Sequence, residues 1–276
     1  MTEHPQTTEV DFRSHYGPWA LITGGSEGVG AAWASAVAAR GVNLILVARR
    51  PAVLEGKARE LRRDYGVDVE VLSLDITSPD LIDRLRTVAD DRDVGLVIHN
   101  VGSVDRDHGW FLDDPIEVGV KLIEVNCVVP TKLANAFLPA MKARQRGGFV
   151  VIGSLSCMAG QALEATYSAA KAFGQIFAEA LWSELRGDNV HVVSILLGGT
   201  RTEALSAKGL LEGVDLPTSE EVVAEAIEHL GDGPVYVPVE DNRRFFEKVT
   251  KRSRRDAAET MARVAFKLLP SPTGQT

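Results

Sequence analysis

Tyr167 and Lys171 lie four positions apart in the stretch "ATYSAAK", with only Ser168, Ala169 and Ala170 between them. On a helix, residues at i and i+4 share a face. A phenol and an ammonium then point into the same space with nothing bulky between. A positive charge beside a tyrosine favours the phenolate and lowers its pKa from about 10, a tenfold change in acidity being worth about 1.4 kcal/mol. A tyrosine tuned in this way gives or takes a proton near neutral pH. The same spacing also describes an ordinary surface pair on an alanine-rich helix. The rest of the chain has to decide between the two.

The chain has 276 residues, 45% hydrophobic and 25% charged. That is the balance of a globular protein, and the length suits one large α/β domain or two small ones. A formal net charge of −8 argues against nucleic acid as a partner. Cys127 and Cys157 lack metal-type spacing and read as free thiols of a reducing cytosol. The histidines are scattered, so no metal site is expected. The opening stretch "MTEHPQTTEVDFRSHYG" is polar, without an apolar signal segment, and no apolar run approaches the length of a membrane span. A cytoplasmic protein without a transmembrane segment is expected.

Short apolar runs alternate with longer amphipathic stretches. The runs fall at 19–23, 42–48, 67–75, 94–100, 147–154, 190–198 and 234–239. Most are rich in Val, Ile and Leu and nearly continuous in apolar character, as strands buried on both faces are. Helix patterns fall near 28–40, 51–65, 78–90, 115–145, 165–186 and 218–230. Alternation of this kind implies a parallel, doubly wound sheet with right-handed crossovers. The stretch 199–217 is long for a plain connection. Beyond 240, "RRFFEKVTKRSRRD" and "AAETMARVAFKLL" read as two appended helices, before a loose tail.

The first apolar run leads straight into "TGGSEGVG", residues 23–30. Gly24, Ser26, Glu27, Gly28, Val29 and Gly30 make up this turn, and a helix pattern follows. The spacing is not G-x-G-x-x-G, but the physics is the same. Glycines permit a tight turn, let backbone N–H groups approach a pyrophosphate, and aim a helix N-terminus at it. A plain strand–helix loop is the other reading. At the end of the second run, where an NAD site places an acid on the ribose hydroxyls, this chain has Arg49 and Arg50. Their planar forks suit a phosphate, which favours NADP(H) over NAD(H). Glu27, inside the turn, pulls the other way.

Together with this turn, "LDIT" (74–77), "NVG" (100–102), Asn126 in "EVNCVVPTKL", "VVIGSLS" (150–156) and "YSAAK" (167–171) stand in a familiar order. In these stretches the chain resembles the short-chain dehydrogenase/reductase family, from about residue 18 to 240. Ser154 lies thirteen residues before Tyr167, as the family's catalytic serine does. The pairing of "NVG" with "YSAAKAF" is similar to the hydroxysteroid dehydrogenase and long-chain 3-ketoacyl reductase branch. The resemblance implies an α/β fold with a single Rossmann-type doubly wound parallel sheet of about seven strands, helices on both faces and a helical C-terminal extension. No linker divides the chain, so one domain over 1–276 is expected, with a core at about 18–240, a substrate lid read from the length and residues of 199–217 and the extension at 241–276.

By the same resemblance Tyr167 is the proton donor and acceptor, and Lys171 lowers its pKa and holds the nicotinamide ribose. Ser154 binds the substrate oxygen, and Asn126 holds a water linking the lysine to solvent. Asp75 and Ile76 border the adenine. Asn100, Val101 and Gly102 meet the adenosine ribose and phosphates, and Gly198, Thr200 and Thr202 contact the nicotinamide amide and phosphates. Read from the residues alone, Asp75 also suits a helix cap and Asn100 a turn. Ser156 rivals Ser154 except for the spacing. His99 stands where the family often has Asn, and a buried, satisfied histidine is expected there. Leu197-Gly198 replaces the frequent Pro-Gly.

The activity implied is that of an NADP(H)-dependent oxidoreductase interconverting a ketone and a secondary alcohol. The substrate is a small carbonyl or alcohol compound, expected to be apolar because 199–217 mixes Ala204, Leu205, Leu210 and Leu211 with glycines. A dehydratase or epimerase on the same scaffold, and a non-catalytic dinucleotide-binding regulator, are the alternatives. Members of the family are commonly dimers or tetramers, and "AFGQIFAEALWSEL" (172–185) offers apolar surface for a homodimer or homotetramer. The basic stretch 243–255 reads as a solvated helix face or as a surface for anions.

Overall fold

The computed structural model describes residues 11–102, 109–202 and 215–268. Seven strands, β1 (Trp19–Thr23), β2 (Asn43–Ala48), β3 (Val69–Ser73), β4 (Val94–His99), β5 (Gly147–Ser154), β6 (Val190–Leu197) and β7 (Val235–Tyr236), form one sheet. Its order is β3-β2-β1-β4-β5-β6-β7, and every pairing is parallel. The order reverses between β1 and β4, which opens a crevice at the carboxyl ends of the strands. The helices are α1 (Phe12–Tyr16), α2 (Gly28–Ala38), α3 (Pro51–Tyr65), α4 (Leu81–Ala89), α5 (Ile116–Ile123), α6 (Val129–Ala143), α7 (Ala165–Leu185), α8 (Ser219–Ile227), α9 (Glu240–Thr250) and α10 (Arg254–Leu268).

The continuous apolar runs are explained by two cores. Ala20, Ile22, Leu44 and Leu46 face Trp33, Val37, Leu54, Leu61 and Val223 of α2, α3 and α8. Their neighbours Leu21, Ile45 and Val47 face the other way, toward Leu81, Leu85, Leu133 and Ala178 of α4, α6 and α7. Alternate residues of one strand serve opposite cores, so the middle of β1 and of β2 is apolar on both faces, with Thr23 and Asn43 at their ends.

Several boundaries differ from expectation. The run 234–239 shrinks to the two residues of β7, because Pro234 and Pro238 lack the N–H a ladder needs. The pattern at 115–145 is not one helix: a π-turn, Glu124–Val128, separates α5 from α6. α1 forms in the polar opening stretch, where no helix pattern was read, capped by the Asp11 side chain on Arg13 N–H. In the extension the break falls at residues 251–253, where Ser253 Oγ accepts from Asp256 N–H at 3.2 Å.

The basic stretch is largely neutralised within the chain. Arg243 pairs with Glu225 and Glu240, Arg244 with Glu240, Lys251 with Glu247 and Arg255 with Glu259. Arg254 donates to Met158 O at 2.8 Å. The reading as a solvated, self-paired helix face is therefore favoured over a surface for anions. Among the described residues, no helix is long and apolar enough to cross a membrane.

Candidate active site

Ser154 is the last residue of β5 and the cap of a short 3-10 turn, Leu155–Met158, its Oγ accepting from Ser156 N–H at 3.2 Å. That turn is pinned from outside. Leu155, Cys157 and Met158 pack with Val249, Ala257 and Met261 of α9 and α10. The C-terminal extension thus braces the loop that carries the serine. α7 starts a few residues later and brings Tyr167 within hydrogen-bond reach of Ser154. Ser154, and not Ser156, is the serine whose hydroxyl bears on the phenol's acidity.

Lys171 follows one turn along the same face. Its Nζ stands 5.7 Å from the centre of the Tyr167 ring and donates to Ile152 O at 2.8 Å. The side chain is buried. Burial takes its pKa down to about 8, against a small opposing pull from Cys157 and Cys127. Tyr167 moves the other way. Burial pushes it up to about 12, helped by the charge of Glu164, while the hydrogen bond from Ser154 draws it back. The expected lowering of the phenol by its lysine is therefore not found here. The ammonium lies over the ring and turns to a backbone carbonyl, so desolvation outweighs charge.

Asn126 sits in the π-turn between α5 and α6. Its Nδ2 donates to Gly102 O at 3.1 Å and to Leu122 O at 2.9 Å. Gly102 lies against the lysine so closely that a Cβ there would fall 2.0 Å from Lys171 Nζ. His99, at the end of β4, is buried and bonded on both ring nitrogens, to Thr23 Oγ1 at 3.1 Å and Val125 O at 3.0 Å. Burial, with the Lys171 charge, holds its pKa near 3. It is the neutral, satisfied histidine expected at that position.

The glycine turn lies beside this group. A Cβ at Gly30 would fall 1.9 Å from Gly24 O, so no side chain fits there. Gly28 has φ +51°, and Thr202 Cγ2, at 3.6 Å, is the nearest atom a Cβ would meet. Asn100 ties the turn to β4: its Nδ2 donates to Gly24 O at 3.3 Å and its N–H to Thr23 Oγ1 at 3.2 Å. Glu27 occupies the cap position of α2 but makes no cap bond; it pairs with Arg50 instead. The first N–H groups of α2 are left without a side-chain cap, and Arg49 is exposed with no ion pair among the described residues. Open N–H groups, a glycine where a side chain would intrude and a spare guanidinium suit the phosphates of a dinucleotide.

Asp75 accepts from Thr77 N–H at 3.0 Å and Thr77 Oγ1 at 2.8 Å, and Lys121 Nζ lies 3.4 Å away. Burial would raise the carboxyl, but these bonds and the Lys121 charge hold it below the usual range. Ile76 is buried. Thr200 is buried and donates to Gly198 O at 3.2 Å. Asn242, from α9, closes over Gly198, where a Cβ would fall 2.4 Å from its Oδ1. Glu164, Lys121 and Asn242 were not legible as site residues. Lys121 and Asn242 reach the site through packing of distant segments, Glu164 stands at the cap of α7 three positions before Tyr167, and none of them carries a motif. Of the stretch 199–217, expected to form a lid, residues 203–214 lie outside the described residues. A cavity of about 190 Å³ adjoins the start of α7, lined by Phe111, Leu112, Ile116, Leu122, Leu163 and Thr166 among others. Among the described residues, no cluster of His, Cys, Asp and Glu could hold a metal ion.

A family model described as short chain dehydrogenase matches residues 18–210. A very-long-chain 3-oxoacyl-CoA reductase of Macaca fascicularis is 31% identical over 217 residues, 78% of this chain and 69% of that protein. A solved 7beta-hydroxysteroid dehydrogenase superposes with a TM-score of 0.83 at 29% identity, covering 91% of this chain and 98% of the other. A short-chain dehydrogenase from Sphingobium yanoikuyae, solved in complex with NADPH, gives a TM-score of 0.75 at 31% identity, covering 84% and 92%.

The electrostatics of Tyr167 are open to titration. At a pH of about 10 an exposed tyrosine is half ionised. Tyr167, followed as the difference in tyrosinate absorbance between the protein and Tyr167→Phe, is expected to remain protonated there. Glu164→Gln should bring its titration down and Ser154→Ala should move it further up. Identical titrations in both variants would remove these two contacts as causes.

Proposed function

Because the chain belongs to the short-chain dehydrogenase/reductase family, whose members oxidise alcohols or reduce ketones, we propose that it interconverts a large apolar ketone and its secondary alcohol with NADP(H). The observation that carries this reading is Tyr167 standing within reach of Ser154, beside a buried Lys171 whose Nζ lies over the phenol ring. A bound nicotinamide dinucleotide supplies the hydride. The glycine turn, Asn100, Thr202 and Arg49 would hold its phosphates and ribose, with Lys171 beside the nicotinamide.

The chain's own groups divide the remaining work. Ser154 turns its hydroxyl to the substrate oxygen, where negative charge develops during reduction. Tyr167, held at about 12, carries its proton at neutral pH and delivers it to that oxygen. That protonation state suits the reductive direction. Lys171 then faces the phenolate with a positive charge, and Asn126 holds the loop at Gly102 against it. The apolar cavity at the start of α7 supports a large apolar substrate. So do the names of the two relatives, one acting on very-long-chain 3-oxoacyl-CoA and the other on 7β-hydroxysteroids.

The cofactor preference rests on Arg49, since Arg50 is committed to Glu27. The NADPH complex of the Sphingobium relative supports it. Self-association rests on an apolar strip. Ile116, Val120 and Ile123 of α5, Val128 of the π-turn and Phe173 and Ile176 of α7 are all exposed. A contiguous strip of this kind suits a second copy of the chain.

Three outcomes are expected. With NADPH and a series of ketones, Tyr167→Phe should lose about 10²- to 10⁴-fold in turnover while cofactor binding changes little. Retained turnover on a substrate of the unmodified protein would overturn the proton role. Arg49→Asp should weaken NADPH about tenfold or more, by removing a charge-assisted contact of about 1.5–3 kcal/mol, and leave NADH nearly unchanged. Calorimetry showing equal affinity for both cofactors in the unmodified protein would defeat the preference. Ile176→Asp should convert an oligomer to a monomer in sedimentation; an unmodified protein that is already monomeric would dispose of the interface.

A further inference from the structure

The π-turn opens a gap in the hydrogen-bond ladder. Val129 N–H bonds to Glu124 O, five residues back, in place of the usual four. Val125 O would then look to residue 130 for its donor. Residue 130 is proline and has no N–H. A buried carbonyl left without a partner is costly, because it gives up its bond to water and gains none in return. The donor that fills the gap comes from another element. His99 Nε2 lies 3.0 Å from Val125 O.

We propose that His99 is a positioning residue, holding the π-turn that carries Asn126 by donating to Val125 O the hydrogen bond that Pro130 cannot make. This rests on the roles given above to Tyr167, Lys171 and Asn126. A carbonyl only accepts, so the proton sits on Nε2. Nδ1 then accepts from Thr23 Oγ1, 3.1 Å away, and Thr23 Oγ1 accepts from Asn100 N–H at 3.2 Å. The relay joins the ends of β1 and β4 to the π-turn and fixes a single tautomer. Its far end is functional. Asn126, next in sequence to Val125, reaches Gly102 O at 3.1 Å, and Gly102 lies against Lys171. A ring displaced at His99 would shift Asn126 and with it the wall behind the lysine. Burial keeps the imidazole neutral across the working range, so it contributes direction and not charge.

The clamp has a signature that does not depend on turnover. In nitrogen-edited NMR of the protein, with His99 assigned by loss of its signals in His99→Gln, the ring is expected as the Nε2–H tautomer, with a proton protected from exchange. An Nδ1–H tautomer would overturn the proposal. On a ketone substrate, His99→Leu is expected to lower kcat at least tenfold, with KM little changed, and to expose the Asn126 side-chain amide to exchange. His99→Gln, which keeps a donor, should recover most of this. Pro130→Ala returns a backbone N–H to the turn; alone it should be near the unmodified protein, and combined with His99→Leu it should recover part of the loss. Full activity in His99→Leu, or no recovery on adding Pro130→Ala, would overturn the clamp. If His99→Leu fails to fold, the tautomer and His99→Gln still decide. An absence of turnover in the unmodified protein would sink the oxidoreductase reading, while the ring tautomer would continue to test the clamp.

Discussion

An ammonium group held in the interior is the constraint on which the site depends. Lys171 is 5% exposed, and its direct hydrogen bond goes to a neutral carbonyl, Ile152 O. A buried cation without a carboxylate is costly. The structure keeps it by surrounding it with groups that do not compete for the charge. The ring face of Tyr167 lies beneath it, a cation–π contact. Gly102 presents only backbone, because nothing larger fits. His99 and the two thiols, Cys127 and Cys157, stay neutral nearby. The same burial works with opposite sign on acid and base. It holds the proton on the phenol and loosens it on the amine.

The fold supplies this interior at a sheet edge, where an open crevice would otherwise admit water. α7, 21 residues long, lies across β5 and β6 and presents Tyr167 and Lys171 on one face. The extension α9–α10 covers the serine turn from outside through the cluster of Leu155, Met158, Val249 and Met261. Arg254 fastens it to Met158 O. An appended pair of helices that looked peripheral is thus part of what keeps Ser154 in place. Its basic character is balanced from within: the guanidinium groups mostly answer carboxylates of the same or neighbouring helices.

Most of the architecture was legible in the chain because period and length report burial directly. Strands buried on both faces leave continuous apolar runs, and six of the seven runs appear close to where they were expected. Tyr167 and Lys171 were legible because i and i+4 fix a shared face whatever the tertiary context. What spacing did not reveal was the sign of the titration, since the charge effect was visible in sequence and the larger desolvation was not. The Glu27–Arg50 pair was hidden for a related reason. Each residue alone argued for a different cofactor, and only the folded turn shows that they answer each other and leave Arg49 without an ion pair among the described residues.

The π-turn was the least legible element, and its concealment follows from its physics. One inserted register step changes hydrogen bonding, yet apolar residues on both sides still recur at helical spacing. Pro130 offers a hint only in hindsight, because proline at the first turn of α6 is unremarkable on its own. Its consequence lies five residues back, at a carbonyl whose replacement donor comes from a strand more than twenty residues earlier in the chain. A histidine in place of a more usual asparagine at position 99 therefore does not read as a defect or as a catalytic addition. It is half of a compensation whose other half is the proline. The histidine and the proline become intelligible as a pair, when one is asked which donor the other has removed.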